Sequence, residues 1–574
     1  MVERTIYTGI MSCRKTFKGI SYTTRENRLI VKTPYAVKKA LHQTGMIMQI
    51  AVLNTGGTIS CVGTPLAPMS AEQFKTACQT YLDPVIAQSY PDVTLTYVTD
   101  LSFPESSSGT LDSTNLQPTD WCLLASYLLG IYSTYDAFIV LHGTDTMDFT
   151  GTALPFLLSA FDANGIATAV ISKPIILTGS QLPMFYQGPE QTAPSGLLYN
   201  TDAFQNVCGA VAAAQTGTPE VCVYFHGSLF RGNRAVKTNA NQFAAFSSPN
   251  YPALAECGIT FDLVPDTILP GPVAPAVSLD TPAVVAQVQA QLTAITAAIN
   301  SMPVMQFNAV PAWYQTSPAQ AMLAKLITAC VGEGIKGLVL ESYGEGNFPS
   351  GNPNQPSQGA IYQALDSANA AGVVIVDCTQ VLQGTVNNSA YAAGAWLPAV
   401  GALSPADMTP MAALAKLMIL LAAQQHNGWS LATVKTLLQS SLLGEMTSVN
   451  RLDSRVNDVL LPGQSISALD GSATLINDAV LGPRLLSSTG TVLWSALGAS
   501  TPADPLPGRL VMQNDGNLVL YSRNTVPLWA TNTGIYGGAS SVLTLSGSMS
   551  NSTLTLQVYD YQHHKVTATL YSQS

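Results

Sequence analysis

The stretch Ile47-Met48-Gln49-Ile50-Ala51-Val52-Leu53-Asn54-Thr55-Gly56-Gly57-Thr58-Ile59 decides how the rest of the chain is read. Its first half is a mainly apolar run of strand length, and its second half is a glycine-rich turn that ends on a threonine hydroxyl. A short apolar run bounded by a turn is the pattern of a strand covered on both faces, as in a parallel sheet. The pattern returns at residues 135–141, followed by His142-Gly143-Thr144-Asp145-Thr146-Met147. Two such turns on neighbouring parallel strands would set two hydroxyls at the carboxyl edge of one sheet, where open α/β sheets carry their ligand sites.

Working outward, candidate strands at 47–53, 93–98, 135–141, 174–178 and 221–226 alternate with helical stretches, the signature of an α/β domain over residues 46–264. Ser70, with Gln73 three residues on, reads as a capping box opening a helix, and 148–161 reads as a helix behind the second threonine turn. A proline-rich passage then leads through a linker with a helix, 265–300, into a smaller α/β unit, 301–455, with strands at 337–340 and 373–376. Thr281-Pro282 and Ser317-Pro318 each look like an N-cap followed by proline at the first helical position, and a helix follows Thr409-Pro410. Residues 431–443 read as a last helix. From 460 to 574 the chain turns to Gly, Ser, Thr and short alternating strands, an all-β module with an imperfect repeat. Residues 491–495 (TVLWS) resemble 526–530 (VPLWA), and 554–559 is a candidate third copy.

Composition limits the function classes. A 574-residue chain exceeds one core and suggests about three or four domains. The net charge of -10 and pI near 5.0 supply no basic stripe for nucleic acid. No apolar stretch reaches bilayer-spanning length; the most apolar, 408–423, is interrupted by Lys416 and reads as a core helix. The nine cysteines are odd in number, with no CxxC pair, which favours reduced, buried thiols and residence in a cytoplasm, with non-classical export left open. Their spacing gives no metal site, and no Walker or dinucleotide motif is present, so no cofactor is expected. Residues 1–45 carry nine Lys/Arg against two acids without an apolar segment of the secretory kind. They read as a basic extension or as sequence upstream of a start at Met46 or Met48.

Taken singly, either threonine turn could be a plain tight turn. Together with Leu111-Asp112-Ser113, Lys173-Pro174, Arg234-Ala235-Val236-Lys237-Thr238-Asn239, Tyr343-Gly344-Glu345-Gly346-Asn347, Thr379-Gln380 and Asp407-Met408-Thr409, they form an ordered series. Over residues 46–445 that series resembles the bacterial-type L-asparaginases, closest to the cytoplasmic type I branch. The resemblance implies two α/β domains, no cofactor, and a homo-oligomer, dimer or tetramer, hydrolysing L-asparagine to L-aspartate and ammonia. It implies that Thr58 is the nucleophile of an acyl-enzyme and Thr144 the second essential threonine, with Lys237 and Asp145 as its partners. Asp145 would also hold the substrate α-ammonium and Ser113 the α-carboxylate, while Asn347 would enter the site of a neighbouring subunit. His142 is expected to support its turn rather than act as a base. One departure stands out: the family places a tyrosine on a lid about a dozen residues beyond the nucleophile, and residues 60–75 contain none. Tyr81 lies beyond the helix start at Ser70.

In the β module, Gln513-Asn514-Asp515-Gly516-Asn517-Leu518-Val519-Leu520-Tyr521 fits QxDxNxVxY, which resembles the mannose-binding motif of bulb-type lectins. Strand alternation is expected to set Gln513, Asp515, Asn517, Val519 and Tyr521 on one face, with Val519 offering an apolar contact to sugar. The resemblance implies a β-prism with tryptophans packed among three subdomains and one of three sites intact. The expected function is therefore an L-asparaginase with a mannose-type glycan-binding module. The alternatives are a glutaminase-asparaginase, another amidohydrolase such as an amidotransferase-type subunit, or a glycan-binding protein on an inactive asparaginase scaffold.

Overall fold

The structure is a computed structural model that describes residues 47–573 except 164, 166, 265–266, 270, 273, 312, 314–320, 389–390, 448–449, 455–457, 469–470, 501, 503, 535–540, 551 and 561–564. The basic segment 1–45 and the Ser317-Pro318 cap lie outside the described residues.

β1 (Met48–Asn54), β2 (Val93–Tyr97), β3 (Ala137–Leu141), β4 (Ile175–Thr178) and β5 (Val221–Phe225) are parallel and run in the spatial order β5-β4-β3-β1-β2. All five coincide with runs legible in the sequence. The strand order reverses at β1, so the turns after β1 and β3 leave side by side: Asn54 pairs with Leu141, and Thr55 N donates to Leu141 O at 2.9 Å. Three antiparallel strands, Ser228–Arg231, Ala255–Cys257 and Phe261–Leu263, extend the sheet beyond β5. They are short, and the last two are of mixed exposure, so they carry no apolar run to announce them.

Helices α1 (Pro118–Ile131), α2 (Met147–Leu157) and α3 (Asp202–Ala214) cover this sheet. Ser70 and Gln73 form the expected capping box for the helix Ala71–Ala77. α2 ends earlier than the sequence suggested, two residues past its internal Pro155, and residues 160–161 pair instead as a short strand.

The second domain is a parallel sheet of β6 (Val304–Asn308), β7 (Gly337–Ser342), β8 (Val374–Thr379) and β9 (Ala402–Leu403), in chain order. Its helices include α4 (Pro282–Ala298) and α5 (Met322–Gly332), then α6 (Ala360–Ala370), α7 (Pro410–Ala423) and α8 (Leu431–Leu438). α4 and α7 begin at Thr281-Pro282 and Thr409-Pro410 as read. The expectation that no apolar stretch reaches bilayer-spanning length does not hold: the 20-residue helical stretch Pro282–Ser301 is long and apolar enough to cross a membrane, while its Val284, Val288, Leu292 and Ile295 are buried in the shared core. α7 packs on α2 of the first domain and against β6 and β7, so one apolar core runs through both domains, with Leu154, Leu417 and Val339 all fully buried in it.

Lys416 explains why α8 stops at Leu438 rather than 443. Fully buried in α7, its Nζ donates to Leu438 O (2.9 Å), Ser440 O (2.6 Å) and Glu445 Oε1 (2.6 Å). It thereby caps α8 from another helix and fixes the chain that leads into the β module.

That module holds three four-stranded antiparallel sheets round one core, in which Leu475, Leu485, Leu510, Leu520, Leu543 and Leu556 are fully buried. The passage 451–467 donates an edge strand to each in turn. Arg451–Asp453 joins the third sheet (Ser541–Ser546, Thr555–Asp560, Lys565–Ser572). Val459–Leu460 joins the second (Arg509–Met512, Leu518–Tyr521, Pro527–Ala530). Ser465–Ser467 joins the first (Ala473–Asp478, Gly482–Ser487, Val492–Ser495). The repeated WS/WA segments are the last strands of the first two sheets, and Trp494 and Trp529 meet edge to face at 5.5 Å. Residues 554–559 fall in the middle of the third sheet and correspond to 518–521, while Leu570 and Tyr571 stand against the core on the last strand.

Candidate active site

Close backbone approach builds the site. At Gly56 (φ 117°) a Cβ would lie 2.2 Å from Leu111 O, at Gly57 (φ 79°) 2.4 Å from Gly143 Cα, and at Gly143 2.4 Å from Ser113 Oγ. Any side chain at these three positions would prise apart the segments carrying Thr58, Ser113 and Thr144. The glycines of TGGT and HGT therefore bring three loops together at one sheet edge.

Thr58 begins a one-turn helix, is partly exposed, and its hydroxyl has no hydrogen bond among the described residues. Thr144 is 9% exposed, and its Oγ1 lies 2.8 Å from Lys237 Nζ. The same Nζ lies 2.7 Å from Asp145 Oδ1. Ser113 is buried; its Oγ accepts from Asp145 N at 3.3 Å and its carbonyl from Thr146 Oγ1 at 2.9 Å. The structure thus gathers Thr144, Asp145, Lys237 and Ser113 beside the turn of Thr58. A lysine between a threonine hydroxyl and a carboxylate can, once neutral, take the hydroxyl proton while the carboxylate holds it in place.

His142 is fully buried. Nδ1 lies 2.6 Å from Gly143 O and Nε2 2.9 Å from Thr150 Oγ1, which assigns the proton to Nδ1. Burial pushes its pKa down to about 4, so at neutral pH it is a fixed, uncharged strut for the turn.

Sequence reading missed Asp148. This carboxylate, 5% exposed in the first turn of α2, accepts from Phe149 N (3.0 Å) and lies 3.5 Å from the amide of Lys237. An acid three residues beyond Asp145 at a helix start was the available signal. Burial pushes its carboxyl up to about 6. The folded chain therefore holds this proton more tightly than the unfolded chain, whose ordinary value is 3.8. The stability it contributes is full below that ordinary value and is lost as pH rises through about 6. Asp148→Asn, which cannot titrate, should lose less stability than the wild type between pH 4 and 7 in urea unfolding; parallel curves would contradict this.

Residues 61–68 form a short hairpin of Cys61–Val62 and Ala67–Pro68 without a tyrosine. Tyr81 Oη donates to Pro194 O at 3.2 Å and is engaged elsewhere. Asn347 stands on the second domain's loop after β7, and no hydrogen bond among the described residues ties it to the threonine turns.

In the β module, the five lectin-type residues do not share one strand face. Gln513 and Asp515 sit in the hairpin turn between Arg509–Met512 and Leu518–Tyr521, closed by Gly516 N to Gln513 O and Gln513 N to Asn517 O, both 2.9 Å. Gly516 (φ 87°) permits that turn, which interrupts the strand alternation. Val519 is 3% exposed and backs the hairpin rather than offering an open apolar surface. The polar groups still converge: Gln513 Nε2 donates to Tyr521 Oη (2.6 Å), Asn517 N to Asp515 Oδ1 (2.9 Å), and Thr531 Oγ1 to Asn517 Oδ1 (3.1 Å). In the first sheet the corresponding turn is closed on itself, since Asp478 takes Val480 N, Leu481 N and Arg484 Nη2. In the third sheet, burial and the Asp162 and Asp560 carboxylates push the Tyr559 phenol up.

Family models described as "Asparaginase, N-terminal" and "Glutaminase/Asparaginase C-terminal domain" match residues 49–267 and 318–432. L-asparaginase 1 of Escherichia coli strain K12 is 31% identical over 338 residues, 59% of this chain and 82% of that protein. The chain belongs to the asparaginase family.

A second relative, the 60 kDa lysophospholipase of Mus musculus, is 33% identical over 337 residues, 58% of this chain; the chain spans about half of its length, 49%. The solved L-asparaginase I of Vibrio cholerae aligns with 70% of this chain and 99% of its own, at 26% identity and a TM-score of 0.49. Both asparaginase-family matches end before the β module begins. Among the described residues, no group of three or more His, Cys, Asp or Glu is placed to hold a metal ion, and all eight described cysteines are free thiols.

Proposed function

We propose that this asparaginase-family chain hydrolyses L-asparagine to L-aspartate and ammonia through a threonine acyl-enzyme. Thr58 Oγ attacks the side-chain amide carbon, its proton passes to the departing nitrogen, and ammonia leaves an ester on Thr58. Water then attacks that ester, releasing aspartate and restoring the hydroxyl. Lys237, once neutral, draws the proton of Thr144 and so makes that hydroxyl the relay for the attacking water. Asp145 and Ser113 hold the substrate's α-ammonium and α-carboxylate. The observation that carries this reading is Lys237 Nζ at 2.8 Å from Thr144 Oγ1 and 2.7 Å from Asp145 Oδ1, at the edge where Thr58 is presented. The active form is a homo-oligomer, a dimer or tetramer, in which Asn347 of one copy completes the threonine site of another. The free thiols accord with a reducing compartment, and a cytoplasmic enzyme is the proposed setting. Ammonia release from asparagine against glutamine, in wild type and Thr58→Ala, tests the reading.

The β module is read as a β-prism lectin with a single mannose-type site on its second sheet. The supporting observation is the set of groups left over at that hairpin: with Gln513 donating to Tyr521 Oη, the phenol proton, Gln513 Oε1, Asp515 Oδ2 and Asn517 Nδ2 have no partner among the described residues. Alternating donors and acceptors of this kind suit adjacent sugar hydroxyls. One weak site per chain gains avidity in an oligomer. Asn517→Ala should abolish retention on immobilised mannan while leaving ammonia release unchanged; retention equal to wild type would remove the site.

A further inference from the structure

Outside the threonine site, the most unusual polar arrangement lies at the carboxyl edge of the second sheet. Asp377, two residues before the end of β8, is fully buried, and Ser342 at the end of β7 donates its hydroxyl to Asp377 Oδ1. Asn388 lies against the same carboxyl, yet Asp377 Oδ2 and both polar atoms of the Asn388 amide are buried without a hydrogen bond of good geometry. Leaving such groups unpaired costs free energy unless the arrangement serves something.

What covers them is the loop Tyr343–Asn347. It closes through Tyr343 N to Asn347 O (3.0 Å) and Asn347 N to Tyr343 O (2.8 Å). Gly346 (φ 100°) rests directly on the buried set: a Cβ there would lie 2.7 Å from Asp377 Oδ2 and 3.1 Å from Asn388 Oδ1. Asn387 N donates to Glu345 O at 2.9 Å, and Gly394 packs so closely that its Cβ would lie 2.6 Å from Gly346 O and 3.2 Å from Asn347 Oδ1. The loop is thus seated on Asp377 and Asn388 and clamped from the side by Gly394, while its outer residues Tyr343–Glu345 and part of Asn347 stay exposed.

We propose that Asp377 is a positioning residue that, through Ser342 and the Gly346 backbone, fixes the loop presenting Asn347. This rests on the reading of Asn347 as a residue that completes the threonine site of a neighbouring copy. Asp377 touches no substrate; it accepts from Ser342, the residue that leads into the loop, and its other oxygen lies under Gly346.

The test uses the full chain as its native oligomer. Asp377→Val removes the acceptor at a buried strand position, and Asp377→Asn keeps one. Asp377→Val should lower kcat/KM for L-asparagine by about tenfold or more, and Asp377→Asn should stay within about threefold of wild type. The double variant Asp377→Val/Asn347→Ala should be no worse than Asn347→Ala alone, because both act through one side chain. Hydrogen exchange of peptides covering 343–347, read by mass spectrometry, should rise in Asp377→Val and not in Asp377→Asn, with first-domain peptides unchanged. If Asp377→Val does not fold, Gly346→Ala, whose methyl would displace the loop from Asp377, should give the same pair of effects. Wild-type turnover and loop exchange in a folded Asp377→Val, or losses that multiply in the double variant, would overturn the proposal. A wild type without amide turnover would defeat the asparaginase reading instead, and the exchange measurement alone would then judge the role of Asp377.

Discussion

Lys237→Met is expected to lower kcat for L-asparagine by about 10^2–10^4, the usual worth of a positioned acid–base group. Methionine keeps the length of the side chain but has no nitrogen to receive the Thr144 proton, and nothing else described hydrogen-bonds the Thr144 hydroxyl. Lys237→Arg should fail similarly, because a guanidinium keeps its charge and cannot accept the proton. That pair of variants separates proton transfer from simple charge. Folding should be nearly untouched: Asp145 is about half exposed, and such pairs contribute about 0–1 kcal/mol. Turnover of Lys237→Met within a few-fold of wild type would show that Thr144 is served by another base.

The largest stability effect is expected at Lys416. Lys416→Met should destabilise the enzyme body by about 3–5 kcal/mol, since it leaves Glu445 as an unpaired buried carboxylate. Burial alone would push Glu445 up, but the Lys416 ammonium and the amides of Leu442 and Leu443 hold it below its ordinary range. The lost lysine would also strand the carbonyls of Leu438 and Ser440 at the end of α8. Lys416→Met/Glu445→Leu should recover part of the loss, because replacing both partners removes the uncompensated charge. The midpoint of the enzyme-body transition in urea, followed separately from the β module, reads both; a single variant as stable as wild type would contradict the account.

Much of this was legible because buried parallel strands write themselves as apolar runs: 47–53 and 135–141 announced β1 and β3, and the glycines after them announced the close approach of loops. What escaped depends on distant partners. The end of α8 is set by Lys416 from another helix, and a period count over 431–443 cannot see it. Asp148 reads as an ordinary helix-start acid until the fold brings the amide of Lys237 to it. The one-face arrangement expected for residues 513–521 does not hold, because Asp515-Gly516 turns the chain where alternation assumes a strand. Val519 lies on the strand Leu518–Tyr521 after that turn, and its 3% exposure leaves little of the open apolar surface expected of it. Residues 60–75 contain no tyrosine, and 61–68 fold as a short hairpin directly after the turn of Thr58.

The most direct test is ammonia release from L-asparagine and L-glutamine by the purified protein, wild type beside Thr58→Ala. The account predicts turnover of asparagine in preference to glutamine, lost in Thr58→Ala while the variant keeps its oligomeric state. No turnover by the folded wild type, or unchanged turnover in Thr58→Ala, would contradict it; the former would leave a glycan-binding protein built on an asparaginase scaffold.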